Sequence, residues 1–414
     1  MIKTRIKRAA KRTLKAGYHA FGWVLPARVR REFRTYRQFR RMGGQPPAPA
    51  PAPAGIPAAT AVATAPYYWE RRERPGVDRP AVRVGLVGAG NYAQHHLKVL
   101  ADLDRVTVTA LLTAGAARGQ ATAARYNIPL VTQDRGQFVQ RDDIDCFVVV
   151  ASARYMHEIT LDCLATGKPV LLEKPPGITA LETASLVQQA LAHHTFGMVC
   201  MNRRFYSVLE HGLAALAWAG PIRGAVMEFP LAFTSDRQSR RLAEWDYEHY
   251  YMRNAIHGVD LLRYVMGDPL AVHSLAWPNE AYAGAAASYA ALLDYGQGVT
   301  ATVVDLWDTV QRPRLHVVAE SGWLEFEPLE AGWFISEHQD KLALRPDPVD
   351  VEYRPGVYAQ DLHFINSVRR GVAPARPACL LPDAYRTMQL MERIQANSLS
   401  HPAPAAPAPT LINA

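Results

Sequence analysis

Residues 84–93 of this chain are Val84-Gly85-Leu86-Val87-Gly88-Ala89-Gly90-Asn91-Tyr92-Ala93. The apolar run followed by Gly-x-Gly-x-x-Ala predicts a buried strand, a tight turn and a helix. Gly88 and Gly90 would let the backbone approach a pyrophosphate group at the N-terminus of that helix, and Ala93 takes the place of the third glycine. The segment therefore has the form of a dinucleotide-binding fingerprint, and the alternative is a strand–helix turn that binds no ligand.

The order of predicted strands and helices after this segment indicates the fold class. Up to residue 201, short apolar strands alternate with helical segments, which indicates a parallel, doubly wound sheet. Beyond it, longer strands of alternating polarity indicate an open sheet with one face available for a site. The predicted fold class is α/β, with an N-terminal Rossmann doubly wound parallel sheet and a C-terminal α/β domain with a large open, mostly antiparallel sheet. The predicted strands are 82–87, 106–112, 146–151, 170–172, 197–201, 223–229, 271–276, 285–294, 298–306, 314–319 and 322–326, and the predicted helices are 93–103, 116–126, 157–166, 180–194, 256–266, 357–370 and 381–397.

Composition and charge divide the chain into unlike parts. Its 414 residues are 49% hydrophobic and 20% charged, which is ordinary for a globular protein of this length with two domains. Residues 1–45 hold fourteen Lys and Arg and one acid, Glu32, for a net charge of +13, while the remainder holds 32 basic and 37 acidic residues, for a net charge of −5. The folded body is therefore mildly acidic, which argues against a nucleic-acid-binding core.

We expect five regions along the chain. They are a basic amphipathic arm (1–45), a Pro/Ala-rich linker and lead-in (46–80), a dinucleotide-binding Rossmann domain (81–201), a substrate and oligomerisation domain (202–398) and a Pro/Ala-rich tail (399–414). A basic amphipathic helix can lie on an anionic membrane surface or bind a protein partner, and a solvated arm is the alternative. An export signal is less favoured, because a proline–alanine run replaces the apolar segment that such a signal needs.

The four cysteines, Cys146, Cys163, Cys200 and Cys379, are scattered along the chain. Their spacing is not that of a zinc site or of a disulfide framework. We therefore expect no bound metal and a reducing compartment, which is the cytoplasm, with peripheral attachment to the inner face of the membrane as one option.

The end of the second strand bears on the choice between NAD and NADP. An acidic residue there would bind the ribose hydroxyls of NAD, but this chain has Thr113. Without a carboxylate a 2′-phosphate is not repelled. Arg118 lies one helical turn farther on, although it can equally be an ordinary surface residue. We expect NADP or NAD as the cofactor, with NADP slightly favoured.

Two further motifs carry side chains suited to hydride-transfer chemistry. Glu173-Lys174-Pro175 follows a later strand of the same sheet. A lysine there can hydrogen-bond a substrate oxygen and stabilise developing negative charge, and a surface lysine before a turn proline is the alternative. His257 and Asp260 lie three apart on one face of a predicted helix. A histidine there can take a hydroxyl proton while the carbinol carbon loses hydride.

A short basic segment, Asn202-Arg203-Arg204-Phe205, closes the first predicted domain. It is either a surface turn or a pair of groups at the domain junction that meets substrate or cofactor. Our hypothesis is the second, with Asn202 and Arg204 binding the substrate.

Together these motifs resemble the Gfo/Idh/MocA family of oxidoreductases, which includes glucose–fructose oxidoreductase and inositol 2-dehydrogenase. The resemblance covers about residues 82–398 and rests on the order of the motifs along the chain. They are the glycine turn at 88–93, His157 upstream of Gly167-Lys168, Glu173-Lys174-Pro175, the segment 202–205, the helix with His257 and Asp260, and the closing segments 361–365 and 371–398.

The resemblance implies NAD(P)-dependent oxidation or reduction of sugars, sugar derivatives or polyols, and oligomers that pair through the open sheet. A finer likeness points to members that act in surface polysaccharide synthesis. Lys174 and His257 are implied to be the catalytic pair. The residues expected at the cofactor are Gly88, Gly90, Asn91, Tyr92, Ala93, Thr113, Arg118, Ala151, His157, Glu173 and Lys174, and those expected at the substrate are Asn202, Arg204, Arg253 and Asp260.

One position departs from the family pattern. The family usually has an aspartate four residues before the catalytic histidine, and this chain has Arg253. A cation there would lower the pKa of His257 and could pair with an anionic substrate, such as a uronic acid or a nucleotide sugar. We expect a homo-oligomeric, NAD(P)-dependent oxidoreductase of a sugar, sugar acid or nucleotide sugar. The alternative is a non-catalytic cofactor- or sugar-binding regulator or scaffold of the same fold.

Overall fold

The computed structural model describes residues 80–231, 244–278, 287–307, 309 and 312–400. The predicted basic arm (1–45), together with almost all of the predicted linker and tail, lies outside the described residues. Within the described ranges, no helix combines the length and the hydropathy that crossing a bilayer requires.

Two central strands of the first sheet, β4 (Cys146–Val149) and β5 (Val170–Leu172), are buried along their whole length. This is the pattern of a parallel strand covered by helices on both faces. The spatial order of strands is β15-β6-β5-β4-β1-β2-β3, and all neighbours are parallel except β15 and β6. Its elements in chain order are β1 (Val82–Val87), α1 (Ala93–Asp102), β2 (Val106–Leu112), α2 (Ala116–Tyr126), β3 (Leu130–Thr132), α3 (Arg135–Val139), β4 (Cys146–Val149), α4 (Ala153–Ala165), β5 (Val170–Leu172), α5 (Ala180–Ala192), β6 (Gly197–Val199) and, from much later in the chain, β15 (Cys379–Leu380).

The second sheet shows the alternating burial of strands with one covered face. In β10 and β11, every second residue is buried, as expected of an open sheet. The order is β14-β13-β12-β11-β7-β10-β9-β8-β16, antiparallel except for the pairs β10–β7 and β16–β8. Its elements are α6 (Ser207–Leu216), β7 (Ile222–Leu231), α7 (Glu244–Glu248), α8 (Tyr250–Asn254), α9 (Ile256–Met266), β8 (Ala271–Pro278), β9 (Ala287–Asp294), β10 (Thr300–Trp307), β11 (Arg314–Ala319), β12 (Gly322–Phe326), β13 (Gly332–Ser336), β14 (Lys341–Leu344), α10 (Pro348–Glu352), α11 (Val357–Arg370), α12 (Leu381–Ala396) and β16 (Ser398–Ser400).

The fold class predicted from the sequence is confirmed, and several short elements were missed. Strands β1, β2, β5, β11 and β12 have the predicted bounds. β3, β13 and β14 are edge or near-edge strands of three to five residues. Such short strands carry little hydrophobic periodicity, so the pattern that identified the longer strands was absent.

The two sheets share one apolar core, and late segments of the chain return to the first sheet. One cluster of buried side chains runs from Val149 and Leu172 to Phe229 and Leu293. β15 pairs with β6 of the first sheet. The first sheet therefore includes a strand from far beyond residue 202. The predicted domain boundary at residue 202 stays a prediction.

The outer face of the second sheet carries large apolar side chains. Strand register places five of them on this one face. They are 37–46% exposed: Trp277, Leu292, Val226, Val318 and Trp333. An exposed apolar patch of this kind is typical of an interaction surface.

Candidate active site

The glycine turn after β1 leaves room for a ligand at the start of α1. Gly88 has φ +98°, and a Cβ there would lie 2.2 Å from the carbonyl oxygen of Val150, so the fold itself requires this glycine. A Cβ at Gly90 would meet nothing within 4 Å. The first turn of α1, which begins at the buried Ala93, carries no acidic residue. The open space and the free helix N-terminus fit the pyrophosphate of a nicotinamide dinucleotide.

The end of β2 carries no negative charge. Thr113 is 8% exposed, and its Oγ1 accepts a hydrogen bond from the amide of Gly115 at 3.4 Å. Arg118 is exposed on α2. This arrangement is compatible with a 2′-phosphate, and the choice between NAD and NADP stays a prediction.

Lys174 connects the end of the first sheet to a helix of the second domain. The amide of Glu173 continues the ladder by donating to the carbonyl of Val149 at 2.9 Å. The next residue, Lys174, donates from Nζ to the backbone carbonyl of Arg253 on α8 at 2.7 Å. An ammonium group has three donors, so two remain for other acceptors. Burial, opposed by Glu173, lowers the pKa of Lys174 to about 8, with Arg203, Arg253 and Arg354 acting in the same direction.

The carboxylate of Glu173, the residue before Lys174, already has hydrogen-bond partners within the protein. His96 on α1 hydrogen-bonds Asp361 through Nδ1 at 2.8 Å and Glu173 through Nε2 at 3.3 Å. Burial lowers the pKa of His96, but the two carboxylates and Cys200 outweigh burial and leave it well above its ordinary value. Glu173 was predicted to meet the cofactor. In the structure its carboxylate contacts His96 and accepts a hydrogen bond from the backbone amide of Lys174, so it positions the strand end that carries Lys174.

His96, Glu173 and the Cys200 thiol come within 4.8 Å of one another. We do not assign a metal to this group. Both nitrogens of His96 are already bound to carboxylates, and burial raises the pKa of Cys200, which disfavours the thiolate that a metal would need.

His257 lies in the first turn of α9 with an unused nitrogen. Its Nδ1 is buried, and no described residue hydrogen-bonds it. Burial lowers the pKa of His257 well below its ordinary value, and Lys174, Arg203 and Arg354 add to this. The ring is therefore neutral at physiological pH, and one ring nitrogen is free to accept a proton. Arg253 was expected to lower this pKa, and the structure assigns that effect to burial and to other cations.

Asp260 and Arg204 are paired with each other, not with a substrate. Arg204 donates to both carboxylate oxygens of Asp260, at 2.7 and 2.5 Å, and to Asp383 at 2.5 Å. Arg204 and Asp260 are 3% and 2% exposed. Thr387 donates to Asp260 at 2.9 Å. The hypothesis that this arginine and this aspartate bind substrate is corrected, because the pair holds the turn at 202–205, α9 and α12 together.

Asn202, Arg253 and His157 also have partners within the protein. The side chain of Asn202 donates to the carbonyl of Pro355 at 2.9 Å. Arg253 forms an ion pair with Asp246 at 2.6 Å, so its charge is already compensated. His157 on α4 hydrogen-bonds Ser185 on α5 at 2.6 Å, which is a helix-packing contact. We do not carry Asn202 or His157 into the proposed site.

The remaining predicted cofactor residues surround the glycine turn. Asn91 is exposed and Tyr92 is half-buried beside it, immediately before α1. Ala151 is half-buried just after β4, next to the Val150 carbonyl that faces Gly88. All three lie around the glycine turn, and their role in binding the cofactor stays a prediction.

The sequence interpretation missed Arg203 and Arg354. The Nη1 atom of Arg203 is buried without a hydrogen-bond partner among the described residues. Both arginines act on the pKa of Lys174 and of His257. The sequence shows two adjacent arginines at 203 and 204, but not which of them enters a buried ion pair.

Asp305 on β10 is a second buried group that the sequence did not point to. It is 1% exposed, and neither carboxylate oxygen has a partner in the described part of the chain. Strand register places it beside Phe229 of β7. Burial alone raises the pKa of Asp305 well above its ordinary value, so folding favours the neutral form of this carboxyl group.

We expect Asp305→Asn to stabilise the protein in a pH-dependent way. The pKa of Asp305 is higher in the folded state than in the unfolded state. Protein stability is therefore unaffected by this residue's ionisation below the ordinary pKa of aspartate, and it declines as the pH rises from there through the folded pKa. Asparagine is neutral at all these values, so the variant should gain roughly 1–3 kcal/mol in unfolding free energy at pH 8 and almost nothing near pH 4. Urea unfolding at both pH values measures this, with the exposed Asp340→Asn as control. A gain that is larger at pH 4 would contradict the assignment.

The fold and the site define a two-domain protein in which a Rossmann sheet with a nucleotide-type turn meets an open-sheet domain at a lysine and a neutral histidine. Residues 82–200 match the model of the oxidoreductase family with an NAD-binding Rossmann fold, and residues 218–325 match the GFO/IDH/MocA C-terminal domain. The chain belongs to the Gfo/Idh/MocA family of oxidoreductases, which confirms the family indicated by its motifs.

Individual relatives are distant. A 4-carboxy-2-hydroxymuconate-6-semialdehyde dehydrogenase of Sphingobium is 23% identical over 75% of this chain and 98% of its own length. An inositol 2-dehydrogenase of Acidothermus cellulolyticus is 35% identical over 30% of this chain and 37% of its own length. Among solved structures, an Agrobacterium radiobacter oxidoreductase in complex with NAD⁺, L-tartaric acid and magnesium has a TM-score of 0.68 at 15% identity, covering 77% of this chain and 96% of its own.

Proposed function

We propose that this protein is an NAD(P)-dependent dehydrogenase or reductase that transfers a hydride to or from a sugar, polyol, sugar acid or nucleotide sugar. The observation that carries the proposal is that Lys174, which donates to the carbonyl of Arg253 and has its pKa lowered to about 8, also lowers the pKa of His257, whose buried Nδ1 is unused within the described residues. Both lie where the end of β5 meets the second domain. One group can hold a substrate oxygen, and the other can take its proton.

The chain's own residues supply the acid–base part of such a reaction. Lys174 would donate a hydrogen bond to the reacting oxygen and stabilise the negative charge that develops on it. His257 would accept the hydroxyl proton at its free ring nitrogen in the oxidative direction and return it in the reductive one. The bound nicotinamide cofactor supplies the hydride chemistry. The contact between Lys174 and the Arg253 carbonyl fixes the lysine between the two domains.

Relatives support this substrate range without fixing it. Several curated relatives are inositol 2-dehydrogenases, and solved neighbours include a levoglucosan dehydrogenase and a UDP-N-acetylglucosamine 3-dehydrogenase from Acidithiobacillus ferrooxidans. The Sphingobium relative is named for a carboxylated semialdehyde. We include an acidic or nucleotide-linked sugar, and a role in surface polysaccharide synthesis, as the finer part of the proposal.

We predict that NADPH binds more tightly than NADH. Thr113 leaves the end of β2 without a carboxylate, so nothing there repels a 2′-phosphate. The full chain, stripped of copurified nucleotide, would be titrated with each cofactor by nicotinamide fluorescence. Thr113→Asp should weaken NADPH binding by roughly 10-fold or more and spare NADH, because one repulsive charge contact costs more than about 1.4 kcal/mol. Tighter binding of NADH by the unmodified chain would reverse the assignment.

The second candidate is a non-catalytic cofactor- or sugar-binding regulator. The specific observation in its favour is Arg253, which stands where the family usually has an acid and is paired with Asp246. Cofactor binding without any hydride exchange across sugars and sugar acids would favour this reading.

We further propose that the protein is a homo-oligomer that pairs through the outer face of the second sheet. The exposed side chains of Trp277, Leu292 and Trp333 on that face support it. A cytoplasmic location, with the basic arm (1–45) at an anionic membrane surface, remains a proposal from the sequence alone.

A further inference from the structure

A contact between residues 202 and 355–356 brings together two chain segments that each carry an arginine. The amide of the Asn202 side chain donates to the carbonyl of Pro355 at 2.9 Å. A Cβ at Gly356, which has φ +74°, would lie 2.0 Å from the backbone oxygen of Asn202. Arg203 directly follows Asn202, and Arg354 directly precedes Pro355. The contact thus fixes where both arginines leave the backbone.

Arg203 and the helix that carries His257 both pack on the ring of Phe229. Its guanidinium carbon is 4.5 Å from the centre of the Phe229 ring. The same ring packs against Gly258, where a Cβ would lie 2.9 Å from it. Nη1 of Arg203 is buried without a partner among the described residues. A buried charged donor without an acceptor costs free energy, and an anionic ligand would remove this cost.

Arg354 extends the pair toward the cofactor turn. Its side chain is exposed, and its guanidinium carbon is 5.2 Å from the centre of the Tyr92 ring, which follows Gly90. The two arginines therefore span the distance from the glycine turn to the start of α9. An anion held between them would lie beside both Lys174 and His257.

The acids in this neighbourhood compensate the cations only in part. Glu173 is bound to His96. Glu330 acts on Arg203 and lies 3.4 Å from the hydroxyl of Tyr206. Burial lowers the pKa of Arg203 and the charge of Arg354 adds to this, with Tyr206 and Glu330 opposing.

We propose that Arg203 and Arg354 together bind an anionic group of the substrate, a carboxylate or a phosphate, next to the reacting carbon. This deepens the proposed dehydrogenase function and rests on it. It moves the anion site from Arg253, which is already paired with Asp246, to two arginines whose guanidinium groups can bind planar or tetrahedral oxyanions bidentately. The substrate class is then an acidic sugar or a sugar phosphate.

The test uses the full chain loaded with its preferred reduced cofactor and three probes: D-glucuronate, D-glucose 6-phosphate and the neutral D-glucose. Binding is followed by the change in nicotinamide fluorescence. We expect at least one acidic probe to bind more tightly than glucose, and Arg203→Gln to weaken that binding by roughly 10–100-fold. Arg354→Gln should weaken it as well. Arg253→Gln is the matched control and should keep the preference.

Cofactor affinity checks that each variant is folded, and it distinguishes an effect on cofactor binding from an effect on anion binding. Arg203→Gln should leave the dissociation constant of the cofactor unchanged, and Arg203→Lys, which keeps the charge but loses the bidentate geometry, should be intermediate. An unmodified chain with no preference for either acid, or an Arg203→Gln variant that keeps the preference, would overturn the anion site. If Arg354→Gln weakens cofactor binding and leaves acid binding unchanged, Arg354 belongs to the cofactor site and the two-arginine proposal is wrong.

A measurement of hydride transfer in the same samples distinguishes failure of the anion site from failure of the proposed dehydrogenase function. Turnover of neutral sugars without an acid preference would leave the dehydrogenase standing and remove the anion site. Acid binding that depends on Arg203 in a protein without hydride exchange would keep the anion site and remove the dehydrogenase.

Discussion

Replacement of Lys174 by methionine is expected to reduce hydride transfer by roughly 10²–10³-fold, the usual cost of removing one donor to a developing oxyanion. Methionine keeps most of the volume and removes the charge and the hydrogen bond to the Arg253 carbonyl. Cofactor binding should persist, because the glycine turn and the end of β2 are untouched. Single-turnover fluorescence decay of the bound reduced cofactor measures the chemical step, and a titration measures the binding.

Lys168→Met is the matched control for this experiment. Lys168 precedes the same strand, and its Nζ also donates to a backbone carbonyl, that of Arg141 at 2.6 Å, but it lies at the other end of β5. Its replacement should leave turnover within about twofold, since surface substitutions away from a site have small effects. A Lys174→Met variant that turns over like the Lys168→Met variant would remove Lys174 from the catalytic pair.

The pH profile gives the same prediction a second readout. If the protonated lysine is the active form, turnover should fall as pH rises through about 8, the value to which burial lowers the pKa of Lys174. The Lys174→Met variant should lack this decline. The neutral His257 has its pKa well below the ordinary range, so it should add no loss of activity between pH 7 and 8.

The sequence predicted the elements whose burial pattern is strong, and it singled out the two residues that we propose as the catalytic pair. β1, β2 and β5 each end in an apolar, buried run, and each is followed directly by a residue that the motifs singled out. β15 could not be predicted, because two residues carry no periodicity and their pairing with β6 joins segments 180 residues apart in sequence, from Val199 to Cys379. The contacts that form only in three dimensions were the ones missed.

The sequence also does not show which charged side chains pair with each other at the site. Helical spacing correctly placed His257 and Asp260 on one helix, but it did not reveal that the aspartate pairs with Arg204 or that Lys174 lowers the pKa of the histidine. Arg203 and Arg204 are neighbours in a short 3₁₀ turn. They point to different partners because that turn rotates successive side chains by about a third of a circle. A single sequence does not show which of the two arginines faces which partner.

Arg204→Met is expected to destabilise the protein by roughly 3–5 kcal/mol, because it leaves the carboxylate of Asp260 buried without its cation. Asp260 is 2% exposed, and without Arg204 it keeps only the hydroxyl of Thr387 as a hydrogen-bond partner among the described residues. Asp383 would still have Arg263 at 2.6 Å, so the loss should arise mainly from Asp260. Urea unfolding monitored by tryptophan fluorescence gives the change in unfolding free energy.

Two companion variants make this result specific to the buried pair. Arg386→Met removes an exposed arginine that is 3.3 Å from Asp268, and exposed ion pairs contribute only about 0–1 kcal/mol. Adding Asp260→Asn to Arg204→Met removes the uncompensated charge and should recover part of the loss, because a buried amide costs less than a buried carboxylate. Equal unfolding midpoints for Arg204→Met and Arg386→Met would show that the Arg204–Asp260 pair does not hold the turn at 202–205 against α9.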